Sequence, residues 1–176
     1  MKFLTWDESQ QWLIPKGVVI DRMGCLNFPA EAPQIMSTQP NDARGLGYDA
    51  YKIAKWLPAE SQCLFWITNW GASVCMDNLM SKVRIGCGES RTLGEVRGHL
   101  FEMAEESDLD MLAGFVFMII SFSWQAYIVS ADGRHHIYLG DQFMTFSSPD
   151  EKKMDAAKDL VAELELKIIQ TAGEAW

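Results

Sequence analysis

Apolar positions along this chain follow two periods, about 3.6 residues and 2 residues, and the changes between them mark out its elements. Thr5-Trp6-Asp7-Glu8 fits a capping box, in which the Thr5 hydroxyl accepts from the Glu8 amide and the Glu8 carboxylate reaches back. The short helix that follows stops before Pro15, with Trp6 and Leu13 turned inward and Trp12 a further candidate. Gly17 to Asp21 reads as a strand, a turn follows near Met23-Gly24, and Cys25 to Phe28 reads as a second short strand. Pro29, Pro33 and Pro40 with Asn41-Asp42 mark an irregular stretch to about Leu46.

Tyr51, Ala54 and Trp56-Leu57 stand at near-helical spacing in a segment from Tyr48 that Pro58 ends. Cys63-Leu64-Phe65-Trp66-Ile67 is continuously apolar and predicts a buried strand, broken by Asn69-Trp70-Gly71. Leu79, Met80 and Val83 suggest a helix over Asp77 to Ile85, and Gly86, Gly88 and Gly94 punctuate a loop. Ser107-Asp108-Leu109-Asp110 looks like a helix start, with acids against the positive end of the dipole. The run from Leu109 to about Phe122 is apolar nearly all round, as a central core helix would be. Trp124 to Val129 and His135 to Leu139 flank Asp132-Gly133, a hairpin signal.

In Ser148-Pro149-Asp150-Glu151, Ser148 fits an N-cap and Pro149 the first helical position. The last helix is expected to run to about Thr171, its stripe of Met154, Ala157, Val161, Leu164 and Ile168 facing the body. The pattern as a whole predicts an α+β fold, helices packed on a small, mostly antiparallel sheet, in a single domain spanning residues 1–176.

Composition narrows the function classes. The chain carries 15 Lys+Arg against 24 Asp+Glu, a net charge of −9, with 48% apolar and 22% charged residues among 176. That is ordinary globular usage. The acidic balance argues against direct nucleic-acid binding and against anionic membranes, and favours a basic partner. Acids at the N-terminus stand where a signal peptide has its apolar stretch, and no apolar run approaches the ~18 residues of a membrane span. The four cysteines include no C-x-x-C pair and read as reduced thiols of a cytoplasmic protein.

Candidate chemistry is sparse. Gly45-Leu46-Gly47-Tyr48-Asp49-Ala50 spells G-x-G-x-x-A, but a dinucleotide loop needs a strand before it, and here a proline-rich loop precedes. His99, His135 and His136 are the histidines; neighbours on a strand point to opposite faces, and the Cys and His spacings match no zinc template, so no metal or cofactor is expected. A Cys–His pair such as Cys87 with His99 is conceivable, because such groups meet in space rather than in sequence. Glu102, Glu105, Glu106, Asp108 and Asp110 place five acids within nine residues with no base among them. They read as a solvated helix face and cap, as an anionic surface that imitates phosphate spacing or fills a basic cleft, or as paired carboxylates for general acid–base chemistry, which requires environments that split their pKa values. Of the seven tryptophans, Trp66, Trp70 and Trp124 lie in or beside predicted strands and read as core. Trp6 and Trp12 lie on a terminal helix where one is available for contact.

One succession is familiar. Thr92-Leu93-Gly94-Glu95-Val96-Arg97-Gly98-His99-Leu100-Phe101 is followed by Glu102, Glu105, Asp108-Leu109 and the apolar helix. Then come Trp124-Gln125-Ala126-Tyr127, Gly133-Arg134, and Gly140-Asp141-Gln142-Phe143 with Phe146. This order resembles a family of small bacterial proteins identified as immunity proteins of toxin-delivery and polymorphic toxin systems. The resemblance covers about Trp66 to Phe146; the family has His-Asp where this chain has Gly140-Asp141, and Asp where Gln125 stands. It implies a role and no catalytic chemistry: a non-enzymatic immunity protein that occludes the active site of a cognate toxin. The acidic charge of the chain adds the expectation that this toxin is basic, of a kind such as a nuclease. The residues expected to carry binding are Glu102, Glu105, Glu106, Asp108 and Asp110, with Trp70 and Tyr138 as anchors. The alternatives are a small enzyme using His99 with a nearby carboxylate, and a subunit of a larger assembly with the apolar helix partly at an interface.

Overall fold

The structure is a computed structural model of the 176-residue chain. It describes all residues except 30–31, 42–44, 58–61, 71–73 and 173–176, and the side chains of 74–79 and 171–172 also lie outside the description. In chain order the elements are β1 (Lys2–Leu4), α1 (Trp6–Leu13), a 3-10 turn (Ile14–Lys16), β2 (Val19–Ile20), β3 (Leu26–Asn27), β4 (Gln34–Thr38), α2 (Leu46–Lys55) and β5 (Gln62–Asn69). The second half holds α3 (Val74–Gly86), β6 (Gly98–Glu102), α4 (Glu106–Ser121), β7 (Gln125–Ser130), β8 (His136–Leu139), β9 (Phe143–Ser147), α5 (Glu151–Glu163) and β10 (Ile168–Ala172).

The fold is α+β. An eight-stranded sheet runs in the order β1-β6-β5-β7-β8-β9-β4-β10, and β2 pairs with β3 in a separate small ribbon. Every pairing among the described residues is antiparallel. The sheet is therefore larger than the sequence pattern implied. Strands β1, β6 and β9 were not marked by alternation, and β4 lies inside the stretch expected to be irregular from Pro29 to Leu46. Each is five residues or fewer, and pairing partners distant in sequence hold each in place.

Strand β5 explains its own apolar run. Cys63, Phe65 and Ile67 enter one core with residues of α2, α4 and α5, while Leu64 and Trp66 enter a second core with Leu4, Leu13, Val18, Ile20 and Leu26. Successive strand residues face opposite sides, so a strand covered on both faces has no polar position. The first face of the sheet carries the helices α2 to α5. Helix α4 is the central one, as its all-round apolarity predicts, with Leu112, Phe115, Val116 and Ile119 fully buried. The second face is covered by α1 and the β2–β3 ribbon over β5 and β6.

The N-terminal capping box is present: Glu8 N–H donates to Thr5 Oγ1 at 3.3 Å and Thr5 N–H donates to Glu8 Oε2 at 2.8 Å. Three helix boundaries in α4 and α5 differ from expectation. The N-cap of α5 is Asp150, whose carboxylate accepts from Lys152 N–H at 2.9 Å, while Ser148 Oγ accepts from Asp150 N–H one step earlier. Helix α5 ends at Glu163 rather than near Thr171. Glu165 takes a left-handed backbone with φ 55°, which ends the helix, and Ile168 to Ala172 pair with β4 instead. Met154, Ala157 and Val161 are buried as the stripe predicts, but Ile168 is half-exposed on the sheet edge. Helix α4 likewise begins before Ser107, with Glu105 at its N-cap position and no side-chain cap.

Candidate partner-binding surfaces

The five acids sit together at the junction of β6 and α4, but they do different things. Asp108 is tied down: both its carboxylate oxygens accept from the Met1 amino group at 2.8 and 2.9 Å, and Oδ2 also accepts from Glu102 N–H at 2.9 Å. It joins the start of β1, the end of β6 and the first turn of α4. Glu102 accepts from Gln62 Nε2 across the β5–β6 pair. Glu105, Glu106 and Asp110 are exposed, and among the described residues their carboxylates make no hydrogen bond or ion pair. Their place at the N-terminus of α4, where orphan amides and the dipole favour anions, accounts for their local tolerance.

The two aromatic candidates lie elsewhere. Trp70 follows β5 at the end opposite the acids: Glu102 pairs with Gln62 at the start of β5, and Trp70 comes directly after Asn69. At the rise of a strand this is a separation of about 25 Å. Trp70 is half-buried, and the Arg97 guanidinium lies 4.6 Å from its ring centre and 5.4 Å from that of Trp6. Tyr138 lies on the second face of the sheet, in β8. Its ring centre is 4.7 Å from that of Tyr127 and 5.7 Å from that of Phe143. Phe28 extends this row, 6.1 Å from Tyr127, and stacks on His136 at 3.7 Å and 10°. Tyr127, Tyr138 and Phe143 are each partly exposed. Burial pushes the Tyr127 phenol up to about 12 and raises that of Tyr138. The seven expected binding residues thus form one acidic group and two separate aromatic positions. Phe28, Tyr127 and Phe143 were not singled out by sequence, because their neighbourhood depends on the register between three strands and a loop.

The histidines have distinct surroundings. The ring of His99 is fully buried, with the centroids of Phe3, Phe65 and Phe115 at 5.4, 6.0 and 4.8 Å. Its Nδ1 contacts the Arg97 carbonyl at 3.1 Å, and burial, with the Arg84 charge, pushes its pKa down to about 3. An enzyme built on His99 meets an imidazole with no solvent exposure. His135 Nδ1 lies 2.9 Å from Ser148 Oγ, and His136 turns to the second face. Among the described residues no three His, Cys, Asp or Glu side chains are grouped to hold a metal ion. Cys25 is exposed, Cys63 buried and Cys87 intermediate, all free thiols; the side chain of Cys75 lies outside the described residues. Gly45, of the G-x-G-x-x-A spelling, is the N-cap of α2. Strand β4 before it is antiparallel to both its neighbours, which is not the parallel unit a dinucleotide loop requires.

A further group escaped sequence reading. Arg84, on α3, has no exposed surface, and none of its three guanidinium nitrogens has a hydrogen-bond partner among the described residues. It lies 5.7 Å from the Phe3 ring centre, and burial lowers its pKa. Glu89 nearby is held down to about 2, chiefly by the Arg91 guanidinium.

No helix among the described residues is long and apolar enough to cross a membrane. Comparison of the chain with protein-family models, with curated proteins and with solved structures finds no match.

Proposed function

We propose that this chain is a cytoplasmic immunity protein: it binds a cognate protein toxin whose contact surface is basic, of a kind such as a nuclease, and occludes its active site. The observation that carries the reading is the exposed set of Glu105, Glu106 and Asp110, unpaired among the described residues, on a chain of net charge −9. Unpaired carboxylates at one site raise the local concentration of a basic partner and speed its encounter. The half-exposed Tyr138, in its aromatic row, supplies the kind of amphipathic ring that anchors protein interfaces. The order of motifs from Trp66 to Phe146 supports the same reading by resemblance.

The test is capture of a partner from a lysate of the source organism by the tagged chain, followed by expression of that partner alone and together with this protein. Growth arrest by the partner alone, relieved by co-expression, is the expected result; a partner that is harmless when expressed alone removes the toxin assignment. With the partner in hand, Glu105→Lys combined with Glu106→Lys is expected to slow association by about tenfold at low ionic strength and to flatten its salt dependence. Unchanged association and salt dependence would remove the acidic surface from the mechanism.

A further inference from the structure

At one end of the sheet's second face, four separate turns enclose a pocket of 290 Å³. Its walls come from Lys16 after α1, Phe28 and Pro29 after β3, Pro33 before β4, the β7–β8 turn with Asp132 and Arg134, and Pro149 before α5. His136 forms part of the lining. The site is built rather than incidental. Gly133, in the β7–β8 turn, has φ +73°, and a Cβ placed there would come within 2.6 Å of the Lys16 Cβ. Lys16 therefore packs directly on a turn that glycine alone allows. Phe28 lies flat against the His136 imidazole, with centroids 3.7 Å apart. His136 is more than nine-tenths buried, and its Nδ1 has no hydrogen-bond partner among the described residues, a state that native structures seldom leave to a buried ring nitrogen.

The charges of the pocket do not cancel. Asp132 is committed: its Oδ1 accepts from Ser130 Oγ at 2.6 Å and from Arg134 N–H at 2.9 Å, and its Oδ2 lies 3.6 Å from His135 Nε2. Lys16 Nζ spends one donor on the Trp12 carbonyl at 2.5 Å and lies over the Trp12 ring, which leaves two donors. The guanidinium of Arg134 makes no hydrogen bond or ion pair among the described residues and is exposed. Burial lowers the His136 pKa to about 4, so the ring adds no charge at neutral pH. Two cations with spare donors stand beside flat apolar walls of Phe28, Pro29, Pro33 and Pro149, on a chain that is otherwise strongly acidic. The volume lies at the small end of the range for ligand sites, which limits the occupant to a compact molecule.

We propose that this pocket binds a small aromatic carboxylate, its ring against Phe28 and the prolines and its carboxylate on Lys16 and Arg134. Carboxylates prefer such charge-assisted donors, and a planar body suits a slot faced by a ring and prolines.

The probe is 4-fluorobenzoate, followed by fluorine NMR on the full chain, with the neutral 4-fluorobenzamide as its isostere. Saturable binding of the acid is expected, with the amide weaker by roughly ten- to hundredfold, the loss of a charge-assisted pair. Lys16→Met keeps the stem that packs on Gly133 while giving up the Nζ bond to the Trp12 carbonyl, and Arg134→Gln changes an exposed side chain, so both variants are expected to stay folded, the second with the wild-type thermal midpoint, while weakening the acid. Phe28→Leu is expected to weaken acid and amide alike. No saturable binding of the acid to folded wild-type protein, equal affinity for acid and amide, or acid affinity unchanged in both charge variants would each overturn the proposal.

Discussion

Strand β5 and the pair β8–β9 lie in one sheet, yet they meet their surroundings differently. Cys63, Leu64, Phe65, Trp66 and Ile67 of β5 are all fully buried, because α4 and its neighbours cover one face and α1 with the β2–β3 ribbon covers the other. In β8 and β9, Ile137, Leu139, Met144 and Phe146 are fully buried on the helix side, whereas Tyr138 and Phe143 on the other side stay partly exposed. One half of the sheet is an interior; the other is a surface with an interior behind it. The difference follows from the length of the covering segment: α1 and the ribbon are too short to reach across eight strands. It teaches where this chain has surface to offer a partner, and where it has none.

The strongest way to break this comparison is truncation of one aromatic from each half. Trp66 is fully buried, donates Nε1–H to the Gly24 carbonyl at 2.8 Å and meets Trp6 edge-on at 5.3 Å. Trp66→Ala is expected to cost about 3–5 kcal/mol, enough to threaten the fold of a typical domain. Tyr138→Ala, on the open half, is expected to cost about 1 kcal/mol. Urea denaturation of the two variants decides the matter. Equal losses would mean that the β8–β9 face is covered after all and would withdraw Tyr138 as an anchor.

The contrast between β5 and the rest also explains what could be read from sequence. A strand buried on both faces announces itself as an unbroken apolar run, and a helix buried all round does the same, so β5 and α4 were legible. The Thr5–Glu8 box and the Asp132-Gly133 turn were legible because each is a local device. Strands β1, β6, β9 and β4 are short, and what makes them strands is a partner far away in the chain: Phe3 pairs with His99, and Ile35 with Phe146. The end of α5 misled for the opposite reason. Met154, Ala157, Val161, Leu164 and Ile168 keep a helical period, while the actual break rests on one residue, Glu165, at positive φ.

The candidate sites divide in the same way. That Glu105 and Glu106 are exposed follows from composition and spacing. The bond from Met1 to Asp108 and the meeting of Lys16, Phe28 and His136 do not, since each joins residues that only the fold brings together.

A second comparison sets His99, enclosed on the helix side, against His136, on the second face. Both have folded-state pKa values below the ordinary 6.5, at about 3 and about 4, because burial disfavours the charged ring. A lowered histidine pKa means that the unfolded chain binds a proton more readily than the folded one. Each ring's contribution is therefore fully present above about pH 6.5 and is lost as pH falls toward the folded value. The limiting slope is about 1.4 kcal/mol per pH unit for each ring. Between pH 6.5 and 5, thermal midpoints of the wild-type protein are expected to fall. His99→Gln and His136→Gln are each expected to flatten that decline, whatever they do to stability at pH 8. A decline unaffected by either substitution would place its origin in other groups.

The smallest effects lie within the acidic cluster itself, where Asp108 is structural, Glu102 accepts from Gln62 Nε2, and Glu105, Glu106 and Asp110 make no hydrogen bond or ion pair among the described residues. Asp108 holds the Met1 amino group and the Glu102 N–H, so Asp108→Asn leaves these donors with a weaker acceptor and is expected to cost about 1–3 kcal/mol. Glu105→Gln and Glu106→Gln remove charges with no hydrogen bond or ion pair among the described residues and are expected to stay within the roughly 0.5 kcal/mol of ordinary surface substitutions, the loss at Glu106 being the favourable term of the α4 dipole. The pattern sharpens the functional reading, because a carboxylate that supports the fold is already used, whereas one that supports nothing is available to a partner. If Glu105→Gln destabilises the chain as much as Asp108→Asn, as read by urea midpoints, then the cluster is a structural cap throughout. The steering role would then have to be sought among other acids, such as Asp141 beside the aromatic row of β8 and β9.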